Sequence, residues 1–289
     1  MLDYKYISYI MAHIISYIKI LRPANAVLAV TGVSIGVWLS GANARAADLV
    51  LLIITAACAL GFGNVINDIK DAEADRTNHP ARPIPKGEIS KAGASVFAAM
   101  LAIISLITSY AVSPYHLAGT AIPLVLLTIY TLFLKGTPLL GNILVSALVA
   151  YTLIFGGIGS AGLNSIVMPA LLAFLINLCR EIVKDIQDKK GDDTAGLRTT
   201  ASLSPNQLTI ALLVPATLYV FLMFLPYTLG HFHGIYLVLC AAAVLPLHIL
   251  WLYWFFKKDS SKTAGRISAV MKVEMLCGLA ALALDKYFF

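Results

Sequence analysis

Nine of the fifteen acidic residues stand in two short windows: Asp68, Asp71, Glu73 and Asp75 in the first, Glu181, Asp185, Asp188, Asp192 and Asp193 in the second. On a helix turning about 100° per residue, Asn64, Asn67, Asp68, Asp71 and Asp75 share one face. Glu181, Asp185, Asp188 and Asp192 follow an i, i+4, i+7, i+11 progression and form a narrower stripe, provided that Gly191 does not end the helix. Like charges on one face repel, and neither stripe is matched by a regular run of i+4 lysines that would neutralise it. One such run is what a solvated helix end looks like; two suit a divalent cation. Carboxylate and amide oxygens are hard donors, which favours Mg²⁺ shared with a phosphorylated substrate over zinc or iron. Bases flank the acids: Lys70, Arg76, Arg82, Lys86, Lys184, Lys189, Lys190 and Arg198. Forked guanidinium groups and compact ammonium groups both bind phosphate, so metal and bases together predict a diphosphate clamp. His79 reads as an exposed loop histidine. Cys58, Cys179, Cys240 and Cys277 lie in apolar runs without paired spacing and read as small core residues.

The elements that position these groups follow from composition. Of 289 residues, 59% are hydrophobic and 12% charged, and the mean hydropathy is +0.83. A soluble domain carries about 25% charged residues, so this chain lacks the polar shell that such a domain needs. An integral membrane protein is predicted, and the net charge of +6 is not read as a nucleic-acid footprint. Runs of about 20 apolar residues, the length that crosses a bilayer, occur near 24–41, 48–66, 92–112, 115–134, 142–161, 166–180, 208–227, 235–256 and 267–284. The first of them belongs to a longer helix starting near Tyr4. With the N-terminus inside, the inner segments hold Lys5, Lys19 and Arg22, then Lys70 to Lys91, Lys135, Arg180 to Arg198, and Lys257, Lys258, Lys262 and Arg266. That is 18 of the 21 bases, as the positive-inside rule requires. The fold predicted is all-α, with nine transmembrane helices, a cytoplasmic N-terminus and a single domain over residues 1–289.

Both acidic windows contain Asp-x-x-x-Asp, both close an apolar helix, and both precede a basic loop containing proline. They lie four spans apart, which suggests two four-helix pseudo-repeats plus a ninth helix, meeting at a shared site on the cytoplasmic face. Gly156, Gly157 and Gly159 serve either close helix approach or room for an apolar chain. Lys272 and Glu274, inside the ninth run, are read respectively as a snorkelling lysine and as a residue of either core or cavity.

Together these residues resemble the UbiA-type intramembrane prenyltransferases. The first signature of that family stands here as Asn67-Asp68-Ile69-Lys70-Asp71-Ala72-Glu73-Ala74-Asp75, followed by Ala81-Arg82-Pro83-Ile84-Pro85-Lys86-Gly87. The second is Asp188-Lys189-Lys190-Gly191-Asp192. Arg22-Pro23-Ala24-Asn25, Tyr130 with Leu134-Lys135, and Gly141-Asn142 match in order, so the likeness covers about residues 20 to 205. Thr131 stands where many members carry Ser. Arg180-Glu181-Ile182-Val183-Lys184-Asp185 is most similar to the branch that makes archaeal ether lipids. The resemblance implies Mg²⁺-dependent transfer of a geranylgeranyl group from its diphosphate to the hydroxyl of geranylgeranylglyceryl phosphate. It implies metal binding by Asn67, Asp68, Asp71, Asp75, Asp188 and Asp192. Lys184, Arg22, Lys135, Arg82 and Arg198 become phosphate contacts, and Asn25 and Asn142 substrate contacts. Tyr130 becomes the ring facing the allylic cation. Glu181 and Asp185 stay open between metal, substrate and the acceptor's proton. The same metal motifs serve members that prenylate aromatic acceptors such as 4-hydroxybenzoate, which is the alternative reaction. A transporter is a further alternative, but its charged site is expected near the membrane midplane rather than at helix ends. The Asp-Gly-x-x-Ala-Arg element of CDP-alcohol phosphatidyltransferases is missing.

Overall fold

The computed structural model describes residues 4–42, 44–257 and 260–289, without the side chains of 4–10 and 260–262. Lys258 therefore lies outside the described residues, as do the side chains of Lys5 and Lys262. The described residues are helical and contain no strand: α1 Tyr4–Ile20, α2 Pro23–Leu39, α3 Ala46–Asn78, α4 Lys91–Val112, α5 Pro114–Leu134, α6 Leu140–Gly156, α7 Asn164–Thr194, α8 Pro205–Thr228, α9 Gly234–Lys257 and α10 Ser260–Phe288. Among them α3, α4, α5, α7, α8, α9 and α10 are long and apolar enough to cross a membrane, and α1 with α2 makes an eighth crossing if that bent pair is one span. The chain is a multi-pass membrane protein. Its outer surface carries Ile107, Phe133 and Phe221 at 63%, 72% and 73% exposure, a covering suited to lipid tails.

The helices depart from the predicted runs where chemistry begins. The first is not continuous: Arg22 takes a left-handed conformation (φ 54°) before Pro23, and α1 and α2 meet at 53°. Proline disfavours the helical region at the residue before it and has no N–H to continue the ladder. The run 48–66 extends into the 33-residue α3, and the run 166–180 into the 31-residue α7, with Gly191 inside the helix. At 1.5 Å per residue each is well over 40 Å long, so the acidic windows stand on rigid helix rather than on loops. The run 142–161 shortens to the 17 residues of α6, which stop at Gly156.

That stop is a packing device. A Cβ on Gly156 would lie 2.2 Å from the Val33 carbonyl oxygen and 2.8 Å from the Val37 nitrogen on α2, and one on Gly36 would lie 2.0 Å from the Leu153 oxygen. Of the two readings of Gly156, close helix approach is the one that holds: it lets the α2 and α6 backbones touch. Glu274 likewise belongs to the core. It is fully buried, accepts from Trp251 Nε1 (2.8 Å) and lies 2.7 Å from His248 Nδ1, tying α10 to α9. Gly156→Val should lower the melting temperature of the detergent-solubilised protein by more than Gly159→Ala does. The first forces backbones apart at a cost of about 1–3 kcal/mol or more. The second meets open space at φ +80° and carries only the left-handed penalty of about 1–2 kcal/mol. Equal melting would show that the α2–α6 contact is not needed.

Candidate active site

The first acidic window faces inward along α3: Asp68, Asp71 and Asp75 are buried, while Lys70, Glu73 and Arg76 are exposed. Bases from other elements reach each buried acid. Arg22, carried there by its left-handed turn, pairs with Asp68. Arg82, from the loop after α3, donates to Asp75 (2.6 Å) and lies 3.5 Å from Asp68. Lys135 pairs with Asp71 and donates to Asn67 Oδ1 (2.9 Å), while Asn67 Nδ2 donates to Asp71 Oδ2 (3.0 Å). Lys135 arrives through a π-helical turn, Tyr130–Leu134, which ends α5. Such turns insert a residue and re-aim the side chains beyond them. Burial pushes the Lys135 ammonium down to about 7, outweighing the attraction of Asp192.

The second window is held from three sides. Glu181 accepts from Arg180 Nη1 (3.0 Å) and Lys184 Nζ (2.8 Å). Asp185 accepts from Asn142 Nδ2 and from the Thr200 N–H, both at 3.0 Å. Asp188 lies 2.9 Å from His79 Nε2. Asp192 is buried within electrostatic reach of Lys135, Asp185 and Asp188, which joins the two windows into one cluster. Asn78 bolts them together: its amide donates to the Asp188 carbonyl (2.6 Å) and accepts from the Gly191 N–H (2.8 Å). Asn25 and Tyr130 line the adjoining cavity. Arg198 does not join the cluster; it is exposed and has no side-chain partner among the described residues.

Two expectations are corrected. The stripes are not left unneutralised: their counter-charges come from distant elements, which a search at i+4 on the same helix cannot see. His79 is not a free loop residue but caps α3 and meets Asp188. Motif and spacing assigned no role to Asn78 or Thr200. Asn78 lies three residues beyond Asp75, where helical spacing was a signal; Thr200 sits in a short 3₁₀ turn and had none.

A cavity of about 190 Å³ opens beside the cluster. Arg22, Asn25, Asn64, Asn67, Tyr130, Arg180, Glu181 and Lys184 form its polar end, and Leu28, Val33, Leu60, Leu127, Leu148 and Phe155 are among its apolar walls. One site thus offers ionic contacts and a hydrocarbon-like chamber. Among the described residues no three His, Cys, Asp or Glu side chains are gathered closely enough to hold a metal ion as they stand. The donor set nevertheless fits a hard cation. It consists of carboxylate and amide oxygens, and Asp71 Oδ1 is buried without a hydrogen-bond partner among the described residues.

Comparison with known proteins places this arrangement. The chain is 37% identical to digeranylgeranylglyceryl phosphate synthase of Methanopyrus kandleri over 92% of its own length and 97% of that protein's. A solved structure described as digeranylgeranylglyceryl phosphate synthase in membranes is 29% identical, with a TM-score of 0.75 over 96% of this chain and 99% of the other. A UbiA homologue from Archaeoglobus fulgidus, solved with GPP and Mg²⁺, shares the fold: its TM-score is 0.64 at 17% identity, over 93% of this chain and 99% of that one. The profile of the UbiA prenyltransferase family matches residues 27–276, and with this span and these relatives the chain belongs to that family.

Proposed function

We propose that this protein transfers a geranylgeranyl group from geranylgeranyl diphosphate to the free hydroxyl of geranylgeranylglyceryl phosphate, releasing diphosphate. The observation that carries this reading is one cavity that joins apolar walls to an end lined by Arg22, Arg180, Lys184 and Glu181, beside the aspartate cluster. A prenyl diphosphate has the same two-ended chemistry. The allylic C–O bond breaks, its electron pair leaves with the diphosphate, and the acceptor oxygen bonds to the prenyl carbon and gives up its proton. Full-length relatives named for this reaction support the choice of acceptor.

Each residue has a distinct task in this scheme. Asn67, Asp68, Asp71, Asp75, Asp188 and Asp192 would hold Mg²⁺, which when bound stabilises the charge that collects on the leaving diphosphate. The bases that now neutralise these aspartates turn to phosphate, so that substrate binding exchanges one set of ion pairs for another. Arg22, Arg82 and Lys135 are the bases placed to do so; Lys184, now paired with Glu181, and Arg198, on the loop after α7 outside the cluster, are further phosphate contacts in this scheme. Tyr130, on the cavity wall, turns its π face to the allylic carbon. Asp185 takes the acceptor's proton: it has no cationic partner, whereas Glu181 has two cations beside it, Arg180 and Lys184, which favour its ionised form. Asn142 and Thr200 orient Asp185. Asn25 contacts substrate at the cavity mouth.

The topology we infer is nine crossings, with α6 as one of them, in two four-helix halves plus a ninth helix and as a single domain. The N-terminus and the active site face the cytoplasm, where both the bases and a water-soluble diphosphate belong. Asp71→Ala and Asp188→Ala should each lower turnover by about a hundredfold or more while the protein still melts cooperatively. Wild-type turnover in either would remove the proposed metal site. In an acceptor panel read by mass spectrometry, geranylgeranylglyceryl phosphate should gain a geranylgeranyl group and 4-hydroxybenzoate should not. The opposite result would reassign the acceptor, and movement of substrate without product would indicate a transporter.

A further inference from the structure

The acceptor in the proposed reaction is itself a phosphate ester, so it brings a second multiply charged anion to the cavity. The cations described above are arranged around the carboxylates of α3. The end of the cavity formed by α7 and α10 carries a different and unbalanced set. Arg180 and Lys184 share one carboxylate, Glu181. Lys272 on α10 is half-buried and has no hydrogen-bond or ion-pair partner among the described residues; it lies within electrostatic reach of Arg180, Lys184 and Arg22, which repel it, and of Glu181, which attracts it. It stands one turn before Met275, which lines the same cavity as Arg180 and Lys184, and positions three apart share a helix face. Arg180 is buried, and its Nε has no acceptor among the described residues.

Each of these features is costly unless an anion arrives. A charged group inside a membrane span is expensive, and snorkelling does not account for a lysine grouped with two arginines and a second lysine beside a cavity. An orphaned guanidinium N–H in a buried site lacks the bond that its burial demands. With Lys184 kept for the diphosphate, Arg180 and Lys272 against Glu181 still leave a formal surplus of one positive charge. A phosphomonoester, which carries about −1.5 to −2 at neutral pH, is an anion that would offset it.

We propose that Arg180 and Lys272 bind the phosphate of the lipid-phosphate acceptor, at a subsite separate from the diphosphate clamp beside α3. In this arrangement Lys272 makes the choice of acceptor depend on that phosphate. The inference rests on the reaction proposed above. It assigns a specificity role to a residue of the last helix, where no family motif lies.

The test uses the full-length protein in liposomes with Mg²⁺ and geranylgeranyl diphosphate, and compares geranylgeranylglyceryl phosphate with phosphate-free geranylgeranylglycerol. For the wild type, KM for the phosphate-free acceptor should be about tenfold higher or more, the loss expected for a charge-assisted contact. Lys272→Met keeps an unbranched apolar stem. It should raise KM for the phosphorylated acceptor by a similar factor and erase the preference between the two acceptors, with kcat and the donor KM within about twofold of wild type. Lys272→Arg should restore the preference. Without donor, geranylgeranylglyceryl phosphate should raise the melting temperature of the wild type and of Lys272→Arg but not of Lys272→Met. Equal KM for the two acceptors in the wild type would overturn the phosphate subsite, as would an unchanged acceptor KM in Lys272→Met. A wild-type enzyme inert toward geranylgeranylglyceryl phosphate but active on an aromatic acceptor would instead overturn the reaction assigned above, and the subsite with it.

Discussion

Buried carboxylates in a membrane protein must be neutralised, and that requirement organises this molecule. Asp68, Asp71 and Asp75 are taken out of water on α3, where an uncompensated charge would cost several kcal/mol. Their partners come from the α1–α2 junction, from the loop after α3 and from the π-turn at the end of α5. Each departure from regular helix at those places delivers a base. The left-handed Arg22, the turn after Asn78 and the inserted residue near Tyr130 are therefore parts of one electrostatic solution rather than separate irregularities. Pairs of this kind are weak sources of net stability, because desolvation offsets much of the attraction. What they supply is specification: each pair fixes one of these elements against the α3 acid that it meets.

The second window solves the same problem with fewer cations. Asp185 is satisfied by an amide and a backbone N–H, and Asp188 by an imidazole. The two windows are thus chemically unequal although their sequences look alike. The first is held by strong bases, Arg22, Arg82 and Lys135. The second leaves a carboxylate with neutral donors, an environment suited to accepting a proton. The same Asp-x-x-x-Asp spacing thus stands in two different electrostatic surroundings.

Much of this was legible in the chain. Apolar runs gave most of the helices, and the clustering of the acids gave the helix segments on which the charged residues gather. The spacing of Asp68, Asp71 and Asp75, and of Asp185 and Asp188, gave the inward faces. Helical periodicity speaks only of neighbours on one helix, so it missed every neutralising partner that comes from elsewhere. Arg22, Lys135 and Arg82 lie 46, 64 and 7 residues from the acids they meet. Gly156 could not be resolved between packing and cavity, because the answer depends on which helix lies opposite. Thr200 donates to Asp185 through its backbone N–H, a group that every residue but proline has and no motif can mark.

The bolt made by Asn78 has a consequence for how the protein is made. Asn78 closes the first long helix, and both of its partners lie in the second, more than one hundred residues later. A chain inserted from its N-terminus can place the first acidic helix and its bases in the membrane long before Asp188 and Gly191 have been synthesised. Until then the two halves of the site are not joined. A nascent polypeptide therefore carries the first acidic helix without its junction to the second until α7 has been made, and the order of synthesis sets the order in which the two carboxylate stripes can meet.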